Sequence, residues 1–123
     1  MRFMTLLKAK EGAAFGPPPP QLFAAIGALG GEAARAGVFV GTAGLMPTAA
    51  GARVRLEGGA ISTSDGPFGG GQEVVTAYAI YDVPSKQEAV AWAKRFMQLH
   101  LEHWKGWEGE TEVRQLIEQP APR

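Results

Sequence analysis

The pattern of hydrophobic and polar positions along the chain predicts a series of strands and two helices. Short apolar or alternating segments predict strands at residues 2–7, 38–45, 52–57, 60–63, 74–83 and 111–117. The segment 74–83 gives the strongest signal, because β-branched and aromatic residues fill both of its faces. Gly58 and Gly59 separate two of the segments and predict a hairpin.

The first helix is predicted at residues 21–36, directly after the prolines at 17–20. Prolines are tolerated in the first turn of a helix because its N–H groups have no partner within the helix. Gly37 is a typical residue for the end of such a helix. The predicted apolar stripe consists of Leu22, Phe23, Ile26 and Leu29.

The second helix is predicted to begin at Ser85. Ser85 and Glu88 form a capping-box pattern, in which the serine oxygen accepts from the Glu88 amide and the glutamate side chain returns to the serine amide. Gly106 follows the last apolar position and predicts the end of the helix. The apolar stripe consists of Ala89, Trp92, Ala93, Phe96 and Leu99.

The order of these elements is strand, helix, strand, hairpin, strand, helix, strand. This order predicts an α+β fold, a ferredoxin-like sandwich with an inserted β-hairpin. The length of 123 residues fits one domain, which we expect to span residues 1–118 and to leave 119–123 as a C-terminal tail.

The two faces of strand 74–83 predict how the sheet is covered. One face is expected to carry Val75, Ala77, Ala79 and Tyr81, and the other Val74, Tyr78 and Ile80. Two helices can cover only one face of the sheet, so the other apolar face would remain in water in a monomer. The pattern therefore predicts a homodimer.

The charge balance and the residue usage exclude several classes of function. Lysine plus arginine equals aspartate plus glutamate at 12 each, so the basic footprint of a nucleic-acid-binding protein is missing. Without cysteine, the chain has no disulfide, thiolate nucleophile or cysteine metal ligand. Residues 1–7 are too few for a signal sequence or a membrane span, and Lys8 follows at once. We expect a cytoplasmic protein that binds neither nucleic acid nor membranes.

Three segments stand out as motifs: Met1-Arg2-Phe3-Met4 with Lys8, the run Gly51-Ala52-Arg53-Val54-Arg55, and Asp65-Gly66-Pro67-Phe68 followed by Glu73. Together they resemble the YCII-related proteins that carry a DGPF motif, and the resemblance covers nearly the whole chain. It implies a dimeric α+β barrel with a cleft near the DGPF loop and an activity that is generally unassigned. The ligand site that it implies consists of Asp65, Gly66, Pro67, Phe68 and Glu73.

The chain departs from that family pattern at two places. After the phenylalanine the family usually has a small residue, glutamate, threonine, lysine and glutamate, whereas this chain has Gly69-Gly70-Gly71-Gln72 and then Glu73. A glutamate that the family often places before the glycine-leucine of the second strand is Ala43 here. These missing carboxylates favour a role without catalysis.

Asp65 is the candidate catalytic residue, and two interpretations of it stay open. In the cleft that the resemblance implies, a lone carboxylate can act as a general acid or base. In the other interpretation, Asp65 accepts amide hydrogens of its own loop, Gly66 supplies an unusual backbone angle and Pro67 fixes the turn. The motif is then purely architectural.

His100 and His103 lie about one turn apart on the second helix, where Glu102 or Glu110 could join them. Two imidazoles fall short of the three or four ligands that a zinc site uses, so we expect no metal site. The glycine run 69–71 precedes a strand and lacks the helix N-terminus that binds phosphate in glycine-rich loops. The sequence therefore indicates no cofactor.

Two functions from different classes follow. The first is a YCII-like domain that binds a small molecule, with acid/base chemistry at the DGPF loop as an extension of it. The second is a non-catalytic interaction or regulatory module, because the resemblance includes relatives that are encoded with, or fused to, alternative sigma factors.

Overall fold

The computed structural model describes residues 1–12 and 15–118, so the predicted tail at 119–123 lies outside the described residues. In chain order the elements are β1 (Arg2–Lys10), α1 (Pro20–Arg35), β2 (Phe39–Gly44), a short 3-10 helix (Thr48–Ala50), β3 (Ala52–Glu57), β4 (Ala60–Asp65), β5 (Glu73–Asp82), α2 (Lys86–His103) and β6 (Glu110–Gln115). An antiparallel sheet has the order β2-β5-β1-β6, and β3 pairs with β4 separately. The predicted ferredoxin-like α+β fold with an inserted hairpin is confirmed.

The core lies between the sheet and the two helices. Phe3 and Tyr81 stand opposite each other on β1 and β5, and both are almost fully buried. Ala33 of α1 and Ala89 of α2 have no exposed surface, so each helix backbone comes close to the sheet. The Tyr81 ring stacks on Trp92 of α2 with 5.8 Å between the ring centroids. An aromatic pair of this kind stabilises a fold by about 0.5–1.5 kcal/mol beyond its buried area.

Both helices begin close to the predicted positions. The Glu88 amide donates to the Ser85 Oγ over 3.2 Å, which confirms the serine half of the capping box. No hydrogen bond returns from the Glu88 side chain to the Ser85 amide among the described residues. On α1, Leu22 is buried as predicted, but Phe23 is 61% exposed, so its place in the apolar stripe was wrong. A one-residue step rotates a side chain by about 100° around the helix, which carries Phe23 off the covered face.

A bulge in the sheet alters the predicted faces of β5. The register between β1 and β5 shifts between Leu7 and Lys8, which pair with Ala77 and Val75. Thr76 therefore has no partner in β1, and Val75 lies on the same side of the sheet as Lys8. The predicted alternation was thus wrong for Val75 and also for Val74, which pairs with the buried Ala9, because an extra residue in one strand reverses the faces beyond it.

The remaining positions of the two central strands alternate as expected. Phe3, Thr5 and Leu7 stand opposite Tyr81, Ala79 and Ala77 on the face that the helices cover. Met4 and Leu6 stand opposite Ile80 and Tyr78 on the other face, which we call the open face. The open face is only half-buried in the isolated chain.

Candidate functional site

A cleft of about 600 Å³ opens between the end of β1, the segment that follows β2 and the loop that leads into β5. Its charged residues are Lys8, Arg53 and Glu73, and its apolar surface includes Leu45, Met46, Val74 and Val75. Volumes of about 300–1,000 Å³ with apolar walls and a few polar groups are typical of small-molecule sites. The cleft therefore has the size and the composition of a ligand site.

Thr48 connects three separate segments at the edge of this cleft. Its hydroxyl donates to Glu11 Oε1 at 2.5 Å and accepts from the Phe68 amide at 3.1 Å. Its backbone amide donates to Glu11 Oε2 at 2.6 Å. The Phe68 carbonyl oxygen is also 3.1 Å from the hydroxyl oxygen, but the single hydroxyl proton goes to the shorter, charged acceptor. We call this arrangement of Glu11, Thr48 and Phe68 the Thr48 junction.

The electrostatics of the Thr48 junction favour an ionised Glu11. The hydrogen bond from the Thr48 hydroxyl, followed by the one from its backbone amide, lowers the pKa of the Glu11 carboxyl, and partial burial opposes this effect. Glu11 follows the last residue of β1, while Phe68 belongs to the DGPF motif. The ionised carboxylate thus holds the loop with the motif to the end of β1.

Gly66 packs against the backbone of the Thr48 junction. A Cβ atom at position 66 would overlap the Thr48 carbonyl oxygen and would also crowd Ala49. The Gly66 amide donates to the Gly51 carbonyl over 2.8 Å, which extends the pairing of β3 with β4. Its φ angle is not positive, so the expected unusual backbone angle at Gly66 was wrong. Close approach is what requires glycine there. The Gly66–Pro67 peptide bond is cis.

Positive backbone angles occur instead in the following glycine run. Gly69, Gly70 and Gly71 have φ angles of 100°, 55° and 85°. The Gln72 amide donates to the Gly69 carbonyl over 2.9 Å, which closes a turn into β5. Residues with a Cβ atom rarely adopt such angles, so these glycines are a structural requirement of the turn.

Only part of the ligand site implied by the resemblance lines the cleft. Phe68 and Glu73 are lining residues, whereas Asp65, Gly66 and Pro67 are not among them. Asp65 ends β4 instead of opening the loop, because the strand extends beyond the predicted 60–63. Its side chain is exposed and makes no hydrogen bond among the described residues, so the structure offers no amide partner for the predicted turn.

Strand alternation explains the position of Asp65. Asp65 shares a face of the hairpin with Thr63 and Ile61, whereas its neighbour Ser64 shares the opposite face with its cross-strand partner Arg53. Arg53 lines the cleft. The Asp65 carboxylate therefore points away from the cleft of its own chain.

The two cations of the cleft differ in their partners. Lys8 Nζ lies 2.6 Å from Glu112 Oε1, and this hydrogen bond, more than the charges of Glu112, Glu110 and Glu73, raises the pKa of Lys8. The Arg53 guanidinium instead lies over the Phe68 ring, 4.1 Å from its centroid. Among residues 1–12 and 15–118, no carboxylate forms an ion pair with Arg53.

The two histidines lie apart from the cleft, since neither is a lining residue. His100 is buried, with Nδ1 3.0 Å from the Phe96 carbonyl oxygen and its ring 4.5 Å from that of Trp107. Burial lowers the pKa of His100, and the Phe96 carbonyl partly opposes this effect. His103 lies 3.9 Å from Glu102. In the described part of the chain, no three acidic or histidine side chains form a metal-binding group.

Sequence reasoning missed Glu11 and Thr48 as parts of the site. These two residues are 37 positions apart, and neither belongs to a motif or to an apolar pattern. Their contact depends on the fold bringing the end of β1 beside the segment after β2. No local signal in the sequence could have revealed it.

The sequence model of the YCII-related domain matches residues 1–100 of the chain. The chain belongs to the YCII-related domain family. In this YCII-related domain the matched residues include the whole Thr48 junction and every residue that lines the cleft, while β6 follows them. No curated protein matches the chain. The helices found among the described residues are too short or too polar to cross a membrane.

Proposed function

We propose that this YCII-related domain binds a small organic molecule in the cleft. The observation that carries the proposal is the cleft itself, a volume of about 600 Å³ in which three charged side chains face an apolar wall. The Thr48 junction supports it, because the hydrogen bond from the Phe68 amide to the Thr48 hydroxyl fixes one side of the opening before a ligand arrives. A site that is already formed loses less entropy on binding.

A thermal-shift screen with small metabolites tests this proposal. A ligand that binds the native state raises the melting temperature of the wild-type protein. Ala50→Phe places a ring in the cleft at an exposed position and should abolish the shift, whereas Ala91→Phe on the exposed side of α2 should preserve it. An empty screen, or an equal shift in Ala50→Phe and wild type, would overturn the proposal.

The same proposal includes a homodimer formed through the open face. Met4, Leu6, Tyr78 and Ile80 make that face apolar, and all four side chains are only partly buried in the isolated chain. On the hairpin, Val54, Leu56 and Ile61 lie on one face and are 71%, 73% and 74% exposed. Contiguous apolar surface of this kind usually marks an interface.

Light scattering after size exclusion measures the oligomeric state. We expect a dimer at micromolar concentration and a folded monomer for Leu6→Glu, because the charge would be buried without a partner in the interface. Lys94→Glu, on the exposed side of α2, is the matched control and should remain dimeric. A wild-type protein that is monomeric throughout would contradict the proposed dimer.

Proton transfer by Asp65 is the second candidate function within this proposal. Asp65 lies on the hairpin face that carries the exposed Ile61, so a partner that covers this face would also cover the Asp65 carboxylate. Burial of a carboxylate next to a ligand is one way to make it a general acid or base. The alternative, a non-catalytic interaction or regulatory module, predicts instead that no metabolite stabilises the protein.

A further inference from the structure

Within the described part of the chain, the cleft contains one cation, Arg53, that is held in place but forms no ion pair. Arg53 lies on β3 opposite Ser64, and its guanidinium rests on the Phe68 ring. The backbone of Phe68 is held in turn by the Thr48 hydroxyl. The ring is therefore a fixed platform, and stacking on it restricts the guanidinium to one plane.

A guanidinium that is stacked on a ring keeps its N–H donors at its edge. These donors form a planar fork that matches the two oxygens of a carboxylate. Arg55, two positions along the same strand, already donates its Nε–H to Glu57 Oε2 at 2.9 Å. Arg53 has no such partner among the described residues, so its donors face the cleft and the solvent.

The other charged residues of the cleft limit what Arg53 can bind. Lys8 is paired with Glu112, which also pairs with Arg114, and the charge of Glu73 also acts on Lys8. Among the residues that the structure describes, Arg53 is the one cation of the cleft without an ion pair, and the Glu73 carboxylate lies in the same cleft, so a phosphate dianion would bring two negative charges to a single guanidinium. A monocarboxylate brings one charge and matches the single fork.

We propose that the ligand of the cleft is a monocarboxylic acid with an apolar body, and that Arg53 binds its carboxylate. The apolar body lies against Leu45, Met46, Val74 and Val75. This inference rests on the proposed function, because it names the class of molecule that the same cleft takes. Arg53 acts as the specificity-determining residue, and Phe68 is the residue that positions it.

The test compares acids with their neutral amides by isothermal titration calorimetry. The probes are phenylacetate, cinnamate and hexanoate, each measured against its primary amide on the wild-type protein. We expect at least one acid to bind at least about 10-fold more tightly than its amide, since a charge-assisted bidentate pair is about twice as strong as a neutral hydrogen bond. Arg53→Gln should remove this preference, because the loss of affinity should be larger for the acid than for the amide.

Three further variants separate recognition from folding. Arg53 is exposed, so Arg53→Gln should fold. Arg53→Lys keeps the charge but lacks the planar set of N–H donors, so it should show only part of the preference for the acid over the amide. Phe68→Leu should reduce the preference by freeing the guanidinium. Arg55→Gln, on the same face of the same strand, should leave it intact.

The inference is overturned if no acid binds more tightly than its amide, or if Arg53→Gln retains the preference. A panel in which none of these probes binds also counts against it. The cleft proposal fails separately, when the wider metabolite screen yields no ligand whose effect depends on position 50.

Discussion

The Glu11 carboxylate accepts two hydrogen bonds from Thr48, one from the backbone amide at 2.6 Å and one from the hydroxyl at 2.5 Å. The same hydroxyl oxygen accepts the Phe68 amide. One buried threonine therefore fixes both the end of β1 and the DGPF loop, and the cleft lies between them.

Thr48→Val tests how much this junction stabilises the fold. The substitution keeps the shape of the side chain but leaves the partly buried Phe68 amide without this acceptor, which costs about 1–3 kcal/mol of unfolding free energy. Thr48→Ser keeps the hydroxyl and should be the milder change. Urea denaturation measures both. Equal losses for valine and serine would mean that the hydroxyl contributes nothing.

The pH dependence of stability provides a second test of the Thr48 junction. The pKa of Glu11 is lowered from its usual 4.5 in the folded state, so the unfolded chain binds a proton first as the pH falls. This contribution to stability is complete above pH 4.5 and is lost as the pH falls through the folded pKa. The acid limb of the curve that plots the urea midpoint against pH should become flatter in both Glu11→Gln and Thr48→Val. An unchanged limb in either variant contradicts this assignment.

The elements of the fold follow from local patterns, and so the sequence could predict them. Ser85 and Glu88 determine where α2 begins, and the apolar run in β5 marks a central strand. The register shift at Lys8 could not be predicted, because a bulge depends on how β1 and β5 meet and leaves no mark in either sequence. That shift places Val75 beside Lys8 in the cleft.

The candidate site was predictable only where a motif coincides with it. The resemblance led to Phe68 and Glu73, which line the cleft, but also to Asp65, whose position follows from strand alternation. Arg53 belongs to a quoted motif, yet its stacking on Phe68 requires the hairpin to fold back onto the loop. Contacts of this kind join distant segments and arise only from tertiary structure.

Gly66→Ala should be among the most damaging small substitutions. The added methyl group would overlap the Thr48 carbonyl oxygen, so the loop must shift, and overpacking of this kind costs about 1–3 kcal/mol. The matched control is Gly27→Ala in α1, which has open space and should stabilise the helix by up to about 1 kcal/mol. Chemical denaturation of both variants measures the difference. If Gly66→Ala is as stable as wild type, the loop can shift to accommodate the methyl group without a loss of unfolding free energy.

His100 should make the protein less stable in mild acid. Burial lowers the pKa of His100 below its usual 6.5, so from pH 6.5 downwards the unfolded state takes up a proton that the folded state refuses. Its contribution to stability is therefore complete above pH 6.5 and declines below it, levelling off at the folded pKa. His100→Phe should flatten this decline, and His103→Gln on the same helix should not. Identical pH profiles for wild type and His100→Phe would rule out the assignment.

Asp65→Asn distinguishes a structural role of Asp65 from a role in proton transfer. The substitution keeps the size of the side chain and a carbonyl acceptor but removes the charge. Asp65 is exposed and has no side-chain hydrogen bond among the described residues, so the unfolding free energy should change by no more than about 1 kcal/mol. Ligand-induced thermal shifts should equal those of wild type, since Asp65 does not line the cleft of its own chain.

Turnover is the measurement that decides the role of Asp65. If the Asp65 carboxylate transfers a proton, Asp65→Asn should retain ligand binding and lose roughly 100-fold or more in rate on any ligand that the wild type converts. Ser64→Ala, the neighbour on the opposite hairpin face, is the control and should keep its rate. Binding that weakens as much as in Arg53→Gln would instead place the Asp65 charge at the ligand. If the rate is unchanged by the substitution, Asp65 does not take part in the reaction. The exposed end of β4 would then contribute only to the contact between subunits.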